Sequence, residues 1–128
     1  MKYNKGTFLN YPIKEFIKLN NKSNEILLQE FNNKYNLNIK DTNINELNLS
    51  FKDLGNEGLN DLCKIEFNAL KELHLFGNNI SDIKVLEKVK FNKLEILSLD
   101  GNKISDINIL EKVNFKELKE LKLYLNNI

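Results

Sequence analysis

The stretch LKELHLFGNNISDI (Leu70–Ile83) recurs 24 residues later as LEILSLDGNKISDI (Leu94–Ile107), and its first part recurs again as LKELKLYLNNI (Leu118–Ile128). The spacing is held by Leu73, Leu97 and Leu121, by Leu75, Leu99 and Leu123, by Asn78, Asn102 and Asn126, and by Ile80, Ile104 and Ile128. The connecting segment keeps step as well: Ile83 with Ile107, Leu86 with Leu110, Val89 with Val113, Phe91 with Phe115 and Leu94 with Leu118. A fixed period of this length marks a chain built from stacked copies of one supersecondary unit. A further copy lies upstream at an offset of 26, where Ile44, Leu47, Leu49 and Leu54 stand for Leu70, Leu73, Leu75 and Ile80. Its two extra residues fall in GNEG, and beyond them Leu59, Leu62, Ile65 and Phe67 regain the step.

Within each copy the leucines alternate with other residues. In ELHLF, Leu73 and Leu75 go to one side and Glu72, His74 and Phe76 to the other, which is the period of a half-buried strand. One short strand per copy, stacked at ~4.8 Å, makes a parallel sheet, and parallel strands need a return connection. SDIKVLEKVKFNK is that return: Ser81 and Ser105 are expected to cap a short helix or 3₁₀ turn, with Ile83, Leu86 and Val89 inward and Lys84, Glu87 and Lys88 outward. The repeated asparagine offers an amide to backbone groups left open where the chain leaves the strand. Lys52 holds that position in the first copy, so the asparagine ladder is expected to fail there and the turn to be satisfied otherwise. Phe67, Phe91 and Phe115 are expected to stack as an internal column.

LKELHLFGNNI, LEILSLDGNKI and LKELKLYLNNI resemble leucine-rich repeats, L-x-x-L-x-L-x-x-N-x-L/I. The ISDI tag resembles the short repeats of phosphatase-regulator and internalin-like subfamilies, and LGNEGLNDL resembles the longer repeats of the ribonuclease-inhibitor type. The resemblance implies an α/β leucine-rich-repeat solenoid: a right-handed coil with a parallel sheet on the concave face and short helices on the convex one. It also implies a binding role, of which a regulatory subunit docking on an enzyme such as a phosphatase is one form. The repeats are expected over residues 44–128.

Residues 1–43 are expected to form a helical N-terminal cap, since the end of a stacked core has to be hidden from water. Pro12 stands at a helix start followed by Ile13, Phe16 and Ile17, and Ser23 can cap a second helix carrying Leu27, Leu28, Phe31 and Tyr35. The last copy stops half-way, which suggests a fragment of a longer protein and an open edge where a second copy could pair.

The 128 residues suit one small fold unit, and a formal charge of +1 with no arginine among the 19 basic residues argues against a nucleic-acid binder. No stretch approaches the ~20 apolar residues of a membrane span. Cys63 is the only cysteine, so a reducing, cytoplasmic setting is expected.

Function then falls to the residues that change between copies. The exposed strand face is expected to carry Glu72, His74 and Phe76, then Ile96, Ser98 and Asp100, then Glu120, Lys122 and Tyr124, with Glu46, Asn48 and Ser50 before them. Phe76 and Tyr124, with Asp100 between, are candidate aromatic anchors for a protein partner. A hydrolase centred on Ser98 and His74 with Asp100 is the reading from another class, and the sheet offers it no nucleophile elbow and no oxyanion donors. Glu72, His74 and Asp100 lack a diagnostic metal spacing, and no phosphate-binding glycine motif occurs; no metal and no cofactor is assigned.

Overall fold

The computed structural model describes residues 22–128 together with two short strands, β1 (Thr7–Phe8) and β2 (Tyr11–Pro12), which pair antiparallel. Pro12 is the last residue of β2; the helix expected to start there, with Ile13, Phe16 and Ile17, lies outside the described residues.

Helix α1 (Asn24–Tyr35) begins as expected, with the Ser23 hydroxyl accepting from the Ile26 amide at 3.2 Å, and ends at Asn36, whose left-handed backbone (φ 54°) breaks it. Leu28 and Phe31 face inward and belong to the same core as the repeats. Two asparagines fasten the helix. Asn24 pairs both ways with the backbone of Glu66, donating to its carbonyl (2.7 Å) and accepting from its amide (2.8 Å). Asn32 does the same to Ile39, fixing the segment that leads into the sheet.

Four strands follow in chain order, β3 (Glu46–Asn48), β4 (Glu72–His74), β5 (Ile96–Ser98) and β6 (Glu120–Lys122), all parallel and each paired with the next. The register is the one the period dictates, with Leu47, Leu73, Leu97 and Leu121 opposite one another. The returns differ. Between β3 and β4 the longer copy forms a true helix, α2 (Gly55–Leu62), whereas the shorter copies form 3₁₀ turns at Lys84–Lys88 and Asn108–Glu111. The two extra residues of the first copy give its return the length for two α-helical turns.

The leucines of the strands and the apolar residues of the returns meet between them. Leu59, Leu62, Phe67, Leu70, Leu73, Leu75, Leu94, Leu97 and Leu99 are all fully buried. Each such side chain contributes roughly 1.5–3 kcal/mol on leaving water. Phe67 and Phe91 pack edge to face at 5.9 Å; Phe115 is only half-buried, so the aromatic column thins at the third copy.

Asparagines lace the coils together, each serving the copy before its own. The Asn78 side-chain oxygen accepts from the amides of Lys52 and Leu54, and its nitrogen donates to the Leu49 carbonyl. Asn102 repeats this on Asn78, Ile80 and Leu75, and Asn126 on Ile104 and Leu99. The asparagine ladder stops short of Lys52, and the turn after β3 is satisfied by Asn78 from the next coil. The returns lack the expected serine caps, starting at Ile83 and Ile107 with no side-chain cap bond. Asp82 and Asp106, not Ser81 and Ser105, accept from the amides two residues on, while Ser81 bonds to Asn56 of the coil before.

Candidate functional site

The outward residues of the strands form rows across the sheet. One row is Glu46, Glu72, Ile96 and Glu120; the next is Asn48, His74, Ser98 and Lys122. Past the strands, backbone hydrogen bonds from Phe51 to Phe76, Gly77 to Asp100 and Gly101 to Tyr124 carry the alignment on, so Ser50, Phe76, Asp100 and Tyr124 form a third row.

A left-handed residue follows each third-row position: φ is +57° at Phe51, +67° at Gly77, +67° at Gly101 and +58° at Leu125. Glycine suits this geometry; a bulky side chain there is held against a cost of about 1–2 kcal/mol. Phe51 is 71 % exposed, and its ring lies over Gly77, meeting the Phe76 ring at a centroid distance of 4.9 Å and an angle of 64°. The Phe76 ring in turn lies over Gly101. The aromatic pair of this surface is thus Phe51 with Phe76. Tyr124, the anchor expected from the alternation, stands 76 % exposed at the last coil, its amide bonded to Asp100. Phe51 escaped the sequence reading because strict alternation ends at Ser50; its match to the glycines at 77 and 101 was the available signal.

The remaining expected residues divide. Glu72, Ile96 and Asp100 are partly exposed and Glu120 and Lys122 open, with the Lys122 ammonium 3.8 Å from Glu120. Ser98 is a correction: at 6 % exposure it is buried, being the shortest side chain of its row between His74 and Lys122. His74 does not turn toward it. The Nε2 atom of His74 lies 3.3 Å from a Glu72 oxygen and 3.6 Å from a Glu46 oxygen. Asp100 is occupied by the Tyr124 amide. The Ser98, His74 and Asp100 side chains therefore form no hydrogen-bonded relay among the described residues, and the carboxylates beside His74 are Glu46 and Glu72.

Away from the face, burial pushes the Cys63 thiol up to about 12, which keeps it protonated and a poor nucleophile. No helix among the described residues is long and apolar enough to cross a membrane.

Residues 68–112 match the family model described as leucine-rich repeats (2 copies). The match covers the second and third coils, from the approach to β4 to the 3₁₀ turn after β5, and agrees with the parallel sheet and its short returns. Leucine-rich repeats generally serve protein–protein interaction. No curated protein matches the chain.

Proposed function

We propose that the strand face is a non-catalytic docking surface for a protein partner, carried by a solenoid whose repeats occupy residues 44–128 and whose first 43 residues cap its start. The observation that supports this most is the Phe51–Phe76 pair. A phenylalanine held in a left-handed conformation, largely open to water and braced edge-on by a second ring, is a costly arrangement for folding alone. The row containing Glu46, Glu72 and Glu120 lies on the same face, beyond the row of Asn48, His74, Ser98 and Lys122. A partner presenting an apolar side chain to the pair, with lysine or arginine further along to meet that row, fits both features, with Tyr124 and Asp100 extending the contact and Ser98 lying beneath it. Docking on an enzyme as its regulatory subunit is a narrower form of the same reading and rests on the ISDI resemblance. A reducing, cytoplasmic setting accords with the single cysteine.

Site-specific photo-crosslinking tests this. A benzoylphenylalanine at Lys122 on the strand face, or at Lys88 on the returns, is irradiated in source cells. Discrete protein adducts are expected from Lys122 and not from Lys88, and they are expected to vanish in a folded Phe51→Ala, Phe76→Ala variant. Adducts that form equally from Lys88, or that persist in the double variant, would overturn the assignment.

A further inference from the structure

The geometry points to a divalent transition-metal site, of the zinc class, formed by Glu46, Glu72 and His74. The three side chains come from two adjacent strands whose register is set by the backbone: Glu46 is directly opposite Glu72, and His74 is two residues further along β4 on the same face. One donor atom from each lies within 4.8 Å of the others. With metal–nitrogen and metal–oxygen bonds of about 2.0–2.2 Å, donors sharing one ion sit roughly 3–3.5 Å apart. The His74 Nε2 separations, 3.3 Å to Glu72 and 3.6 Å to Glu46, are therefore almost those of a formed coordination shell.

Charge favours the same occupant. Two carboxylates directly opposite on neighbouring strands repel each other, and a neutral imidazole relieves neither. An imidazolium supplies one positive charge to two negative ones, whereas a divalent ion balances both and uses the imidazole in its neutral form. One imidazole with two carboxylates suits zinc and its neighbours better than calcium or magnesium, which take oxygen alone. The nearest lysine along the row of His74 is Lys122, two strands away and directed at Glu120, so it does not compete for these carboxylates. Glu46 is 60 % exposed and Glu72 39 %, which leaves the outer coordination positions to water or to a partner's side chain.

His74 is the only histidine of the chain, so its imidazole can be followed without assignment by ¹⁵N NMR. Zinc chloride alone is titrated into the tag-free full chain at neutral pH, with calorimetry in parallel. The expected result is one ion per chain, a displaced Nε2 resonance with the proton held on Nδ1, and affinity reduced about tenfold or more in Glu46→Gln, Glu72→Gln and His74→Gln. Circular dichroism establishes that each variant is folded. Should His74→Gln not fold, the exposed Glu46→Gln carries the test. Cys63→Ser is expected to bind as wild type does. Imidazole signals unmoved by excess zinc would mean that His74 does no more than contact the two carboxylates, and would overturn the site. Affinity unchanged in folded His74→Gln and Glu46→Gln, or lost in Cys63→Ser, would overturn it equally.

Discussion

Asn102 lies at 5 % exposure, with its amide oxygen accepting from the Asn78 and Ile80 amides and its nitrogen donating to the Leu75 and Leu99 carbonyls. Replacing it with alanine leaves buried backbone groups of two coils without partners, and Asn102→Ala is expected to cost about 3 kcal/mol in urea denaturation. Asn126 accepts from one amide, that of Ile104, and donates to the Leu99 carbonyl from a half-exposed position where water can substitute, so Asn126→Ala should cost clearly less. At Gly77 a Cβ would meet the Phe51 ring at 2.6 Å in a backbone with φ +67°. Gly77→Ala should destabilise by about 1–2 kcal/mol from the backbone alone, with a further steric part that Phe51→Ala removes. The asparagine's role was legible because one residue type recurs at one step of the period. The placement of Phe51 was not, because its left-handed conformation belongs to the turn it shares with Gly77, Gly101 and Leu125 and not to its own preference. The turn of His74 toward Glu46 was equally hidden: the row of glutamates could be read, but the side-chain direction depends on packing.

Helices α1 and α2 are joined by a charged cluster at their shared surface. Lys34 reaches Glu57 at 2.6 Å and Asp61 at 2.9 Å, and the Tyr35 hydroxyl donates to Asp61 at 2.7 Å. Burial alone would raise the Asp61 carboxyl, but the bonds from Lys34 and Tyr35 outweigh it and hold the group below its ordinary 3.8. Burial, with Asp61 adding to it, pushes Tyr35 up to about 12, and bonds to Glu57 and Asp61 raise Lys34. A depressed carboxyl adds stability above its unfolded value and loses it as pH falls through the folded one. Thermal melts should therefore show Asp61→Asn less stable than wild type at pH 7, with the gap closing as pH drops below about 4. The raised tyrosine acts in the opposite sense: its contribution is complete below pH 10 and fades as pH climbs toward about 12. At this scale the sequence located α1 and its Ser23 cap, because a capping serine and an apolar stripe are local signals. It expected serine caps at the returns, whereas Ser81 is drawn to Asn56 of the coil before and the turns start at Ile83 and Ile107 with no side-chain cap, Asp82 accepting instead from the Lys84 amide.

Across the whole molecule, burial rises toward the middle coils. Leu73 and Leu97 are fully buried, while Leu121, the same position in the last coil, is 36 % exposed. In a stack where each unit contacts only its neighbours, stability is a sum of units and their interfaces. Leu97→Ala is thus expected to cost roughly 2–5 kcal/mol, and Leu121→Ala well under half of that, by chemical denaturation of the two variants. The parallel order, the register and the division into buried and outward residues were all legible in the 24-residue spacing, because a period that holds through strand and return alike admits one stacking. Which outward residues sink, as Ser98 does, depends on the lengths of their neighbours and emerges only with the sheet assembled. Amide hydrogen exchange tests the stacking most directly. If successive copies are held together through the asparagines, the Asn78 and Ile80 amides exchange slowly in wild type and many-fold faster in Asn102→Ala, while amides of α1 change little. Rapid exchange of both amides in the intact protein would show that the third coil does not hold the second.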